Sequence, residues 1–141
     1  MNKLLVLGIT TALGGLACTA FAQTHSAKDE ISTAHAHALM AQSATSVAMA
    51  HTHLHHVINC LVGPGGSGFD AAAGTPCKGQ GNGAIPDAAT DHALHAKLEN
   101  ALSDAQAGLK SESLAAVQQD AGKAAAGLQD GASAKASSSS W

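Results

Sequence analysis

The chain has 141 residues, with ten acidic side chains against seven lysines, no arginine, nine histidines and a formal net charge of -3. That balance lacks the basic stripe with arginine or aromatic readers that nucleic-acid binders carry, so nucleic acid is not an expected partner. Hydrophobic residues make up 45% of the chain but aromatics only 2%, so any core is built of alanine and leucine and gains little from burial alone.

The first residues read as an export signal. Lys3 supplies a positive start, Leu4 to about Leu16 an apolar stretch, and Ala20-Phe21-Ala22 a small-residue cleavage site before Gln23. The apolar run is shorter than the roughly 20 residues that span a bilayer, and nothing later is longer, so no stable membrane span is expected after cleavage. A lipoprotein signal ending at Cys18 is the weaker alternative, because Gly15 stands where a large aliphatic residue is usual. Residues 1–22 are therefore expected to leave. The remainder, with ten acids and six lysines, carries -4 and is long enough for one domain, in an oxidising compartment such as the periplasm.

From Ala27 to Leu61 there is no glycine or proline, which predicts one long helix or two helices meeting near Ser43 to Ser46. Helical spacing gathers Leu39, Met40, Val47, Leu54, Val57, Ile58 and Leu61 into a core stripe. Gly63-Pro64-Gly65-Gly66 ends that segment, and a long glycine-rich loop is expected over 63–86. Cys60 and Cys77 are the two cysteines left after processing, and an even pair in an oxidising compartment predicts a disulfide. In the chain-entropy picture such a closure contributes about 3 kcal/mol. Two free thiols serving as ligands or redox groups are the alternative.

A second helix is expected to start near Asp87, with Leu94, Leu98, Ala101, Leu102 and Ala105 facing the core, and to end at Gly108. A third starts at Ser111 or Ser113 and carries Leu114, Val117, Ala121, Ala124, Ala125 and Leu128 to Gln129. The short link makes these two an antiparallel hairpin. Residues 130–141, rich in Gly, Ala and Ser, have too little to bury and are expected to be a disordered tail. The expected fold is thus all-α: an antiparallel bundle of three helices over 23–129, or four if the first breaks, with its loop pinned by the disulfide.

The histidines carry the chemistry. Four of them, His51, His53, His55 and His56, stand within six residues, a tract that reads as metal binding. On a helix His51 and His55 share one stripe, with His37 near it in angle, and His53 and His56 share another. Met49 lies one turn before His53 and Cys60 one turn after His56. His92 and His95 repeat the spacing on the second helix. If that helix folds back beside the first, His53, His56, His92 and His95 converge. The expected ligand set is His51, His53, His55, His56, His92 and His95, with Met49 as a soft ligand. Imidazole suits Cu(II), Ni(II) and Zn(II), and methionine adds a preference for Cu(I).

Other chemistries find less support. Gly79-Gln80-Gly81-Asn82-Gly83 lacks the strand and the Lys-Ser/Thr element of a phosphate loop, and three glutamates are too few for a di-iron centre. No Cys-x-x-Cys-His attachment or nucleophile elbow is present, and no enzymatic activity is expected. A haem-binding or electron-transfer bundle with two axial histidines, a pH-responsive interaction protein without metal, and a redox function of the two cysteines stay open as rivals.

With its leader, its alanine-rich helices and His35, His37, His51, His53, His55, His56, His92 and His95, the chain resembles the small histidine-rich metal-binding proteins of the bacterial periplasm. The likeness covers Ala34 to Ile58 and Asp91 to Gln106. It implies a helical bundle that scavenges or buffers metal ions without catalysis; a homodimer or a metal-delivery partner stays open. The third helix, which has no histidine, and the loop with Cys77 depart from that pattern.

Overall fold

The computed structural model describes residues 27–133, so residues 1–26, with the expected export signal, and residues 134–141 lie outside the described residues. Five helices and no strand are found there: α1 (Ala27–Gln42), α2 (Val47–Val62), the short α3 (Ala84–Asp87), α4 (His92–Lys110) and α5 (Leu114–Ser133). A single 3-10 turn, Ala71–Ala73, sits between α2 and α3. No helix among them is long and apolar enough to cross a membrane.

The first apolar segment breaks where Ser43 to Ser46 interrupt it, and both serines act. Ser43 turns its hydroxyl back to the Leu39 carbonyl at 2.9 Å, ending α1. Ser46 adopts an extended backbone and accepts the Met49 N–H at 3.2 Å, capping the start of α2. The chain therefore reverses, and α1 lies along α2 and α5.

This break overturns part of the expected core stripe. Leu39 and Met40 are 45% and 46% exposed. Instead α1 buries Ile31, Ala34, Ala38 and Ala41. The reason is distance. Gly122 and Gly131 of α5 pack on Gln42 and Ile31, a close approach that alanines allow and a row of leucines would prevent. Leu54, Val57, Ile58 and Leu61 of α2, Leu98 of α4, and Val117 and Leu128 of α5 supply the larger side chains of the same core.

Helix boundaries also differ from expectation: the loop expected over 63–86 gives way to α3 at Ala84, and α4 runs past Gly108 to Lys110. Asp87 does not cap the fourth helix; Asp91 does, accepting the Leu94 N–H at 3.0 Å. Asp87 is engaged instead by Asn82, whose backbone N–H reaches it at 3.0 Å. At the other end, α5 continues to Ser133 rather than stopping at Gln129. Its start is capped by Ser113, which accepts the Ala116 N–H at 3.3 Å.

The segment between α2 and α3 is closed at its base and fastened inside. Gly63 ends α2 with φ +68°, and its backbone lies directly against Asn82 and Gly83, where a Cβ would collide. The expected Cys60–Cys77 disulfide is present, with the Cα atoms 5.3 Å apart. Asn59, only 3% exposed, donates its amide to the Asp70 and Gly74 carbonyls at 2.7 and 2.6 Å and accepts the Asp70 N–H at 2.8 Å.

Glu30 is the one buried carboxyl among the described residues, at 1% exposure. One oxygen accepts the Gly83 N–H at 2.8 Å; the other meets no N–H or O–H donor. Burial, reinforced by the neighbouring Asp87 and Asp29, outweighs the Gly83 hydrogen bond and raises its pKa to about 7. A raised acid pKa means that the folded state holds a proton which the unfolded chain releases above its ordinary 4.5, so this group lowers stability as pH rises from 4.5 to 7. Glu30→Gln is expected to gain on the parent protein by about 2 kcal/mol between pH 5 and pH 8, measured by denaturant unfolding. An equal difference at both pH values would refute the buried-acid account.

Candidate metal centre

Where α1 lies along α2, three imidazoles meet. His37 is six residues before Ser43 and His53 seven after Ser46, so the reversal sets them opposite each other. His56 follows His53 by three residues and lies on the same side of α2. The Nδ1 atoms of His37 and His53 are 3.1 Å apart, and those of His37 and His56 are 3.3 Å apart. Among the described residues this is the one group of three or more His, Cys, Asp or Glu side chains whose ligand atoms all lie within 4.8 Å of one another. All three rings are partly buried.

The protonation pattern is set from outside the triad. His56 Nε2 lies 2.7 Å from the Ala73 carbonyl, and a carbonyl only accepts, so this nitrogen carries the ring proton and Nδ1 keeps its lone pair. That is the arrangement in which a ligating histidine donates its far N–H to a carbonyl that fixes its tautomer. His37 Nδ1 then cannot satisfy both neighbours by ordinary hydrogen bonds. Protonated, it has one hydrogen to share between two acceptors; unprotonated, it presents a lone pair to the lone pair of His56. A cation placed between the three nitrogens removes that conflict.

A proton is a poor choice of cation here. Burial, followed by the neighbouring His56 and His53, lowers the His37 pKa to about 4. The same causes, burial first and then His56, lower that of His53. Both shifts favour the neutral form of His37 and His53, which keeps a ring lone pair free. With metal–nitrogen bonds of about 2.05 Å, the 3.1 and 3.3 Å separations correspond to angles of about 98° and 107° at the ion, between square and tetrahedral geometry. The His53–His56 pair is the looser edge, with ring centroids 6.0 Å apart.

Of the seven ligands expected from the sequence, the fold brings together only His53 and His56. His51 donates to the Ser111 carbonyl at 3.1 Å and ties α2 to the link between α4 and α5. His55 sits 3.5 Å from the Asp70 carboxylate. Met49 is 48% exposed and outside the triad. His92 and His95 fail to reach the site because of register. Leu54 packs against Gly108, and His51 against Ser111, so the level of the triad on α4 is near Gly108. His95 and His92 stand 13 and 16 residues before Gly108, about 20 Å or more along the helix. The third imidazole of the cluster is His37, and the position of the chain reversal is the sequence signal that identifies it.

The Ala73 carbonyl is held in place by Asn59, which lies one turn after His55 and clamps both sides of the 3-10 turn. Removing that amide orphans buried backbone groups that each cost about 1–3 kcal/mol. Asn59→Ala is expected to lower unfolding stability by about 2 kcal/mol or more and to weaken metal uptake; unchanged stability would show that the clamp carries no energy. No family model, curated protein or solved structure matches the chain.

Proposed function

We propose that this protein binds a transition-metal ion through His37, His53 and His56 and holds it for buffering or delivery, without catalysis, in the periplasm after loss of residues 1–22. The observation that carries the reading is the convergence of three Nδ1 atoms, one of them with its tautomer fixed by the Ala73 carbonyl. Three imidazoles without thiolate or carboxylate favour Zn(II), Cu(II), Ni(II) or Cu(I) over Mg(II) or Ca(II). The cysteines are taken by the disulfide and add no ligand.

The four long helices read as an antiparallel bundle in which the metal ties α1 to α2 beside the pinned 63–83 segment. This is the architecture implied by the likeness to histidine-rich periplasmic metal binders, with the ligands gathered at one reversal instead of repeated along every helix. A triad leaves a fourth position for water or for a ligand from a receiving protein. The haem rival fits the spacing poorly. Two axial nitrogens lie on opposite sides of an iron, about 4 Å apart with a porphyrin plane between them. Here neighbouring nitrogens stand at 3.1 and 3.3 Å.

Calorimetric titration of the protein with Zn(II) and Cu(II) is expected to give one tight site per chain. His37→Ala, His53→Ala and His56→Ala are each expected to weaken binding at least tenfold, because each removes one of three ligands. His92→Ala and His95→Ala are expected to leave it unchanged. Equal loss in the His92 and His37 variants, or no binding tighter than a histidine-containing peptide, would overturn the assignment.

A further inference from the structure

The 141-residue sequence holds three methionines, and the two within the described residues, Met40 and Met49, are both on the surface. Together with Leu39 they are the exposed large hydrophobic side chains there, at 46% and 48% exposure for the two methionines. The core is filled by alanine, leucine, isoleucine and valine, with no methionine, so neither thioether is used as a gap filler.

Their positions repeat the logic that pairs His37 with His53. Met40 stands three residues before Ser43 and Met49 three after Ser46, so the same reversal puts them at matching levels along the two helices. Met40 follows His37 by three residues and Met49 precedes His53 by four, which puts both about 5 Å nearer the turn than the triad. Rotation agrees with that placement. Three residues on α1 and four on α2 turn the side-chain directions by about 60° and 40° in opposite senses, which swings both methionines toward the same side of the helix pair.

We propose that Met40 and Met49 form a thioether pair one turn above the histidine triad and that this pair makes Cu(I) a cargo of the site. This inference rests on the triad reading and adds the identity of the ion and two further ligands. Thioethers bind soft Cu(I) and have little affinity for Zn(II), so two at the exposed end of a partly buried triad add sulfur donors to the imidazoles for Cu(I) and none for Zn(II).

The test is the protein carrying [13C]methyl-methionine, titrated with Ag(I) as a silent analogue of Cu(I), and separately with Zn(II). The Met40 and Met49 methyl signals, identified by the single Leu variants, are expected to move with Ag(I) and stay in place with Zn(II). The Met40→Leu, Met49→Leu double variant preserves side-chain volume at two exposed positions. It is expected to keep its Zn(II) affinity within twofold and lose at least tenfold for Cu(I), read by competition with a Cu(I) chelator under anaerobic conditions. Unmoved methyl signals, or Cu(I) affinity within twofold of the parent, overturn the thioether pair while Zn(II) binding still supports the triad. Failure of Zn(II), Ag(I) and Cu(I) alike overturns both.

Discussion

Everything at the candidate site depends on the chain reversing at Ser43 to Ser46. Ser43 satisfies carbonyls at the end of α1 and Ser46 satisfies an amide at the start of α2, so the two helix ends are held by hydroxyls within four residues. Were the segment one continuous helix, His37 and His53 would stand about 24 Å apart along it. Folding back brings their Nδ1 atoms to 3.1 Å. The alanine face of α1 makes the reversal productive, since Ala34, Ala38 and Ala41 are fully buried and let α1 settle closely beside its neighbours.

The second layer of organisation is the segment that crosses α2. Its carbonyl at Ala73 orients His56, Asn59 positions that carbonyl, and the Cys60–Cys77 disulfide fastens the same stretch to the end of α2. Two titrating groups, the buried Glu30 and the partly buried His37, then act in opposite directions on stability. Glu30 lowers it as pH rises through the interval from 4.5 to 7. His37 behaves conversely: its lowered pKa means that the unfolded chain takes up the proton first, so its contribution is present above 6.5 and is lost as pH falls toward 4. The two dependences oppose each other over much of the mildly acidic range.

Much of the fold is legible in the sequence. Glycine and proline punctuation marks the helices, the serines mark the break and the caps, and the two cysteines form their disulfide. The core stripe is legible only in part, because a stripe drawn through residues 39 to 61 assumes one continuous helix; once the chain reverses, α1 presents Ile31, Ala34, Ala38 and Ala41 instead of Leu39 and Met40. The site follows the same lesson. The histidine tract points to α2, and His53 and His56 are there, but the third imidazole of the cluster comes from α1 because helix register sets His92 and His95 far along α4. Spacing within a helix shows which side chains share a face. Which face meets which depends on turns and on small residues such as Gly108, whose consequence appears only when the helices are packed.

The central claim is that the Nδ1 atoms of His37, His53 and His56 share one ion. The measurement that addresses it most directly is long-range 1H–15N correlation of the histidine rings in the Zn(II)-loaded protein, which distinguishes protonated from metal-bound nitrogen ring by ring. Metal-bound Nδ1 and protonated Nε2 are expected for these three rings, with the other histidines unaffected by Zn(II). Ligation through Nε2 of His56, or a zinc-bound set drawn from His51, His55, His92 or His95, would contradict it.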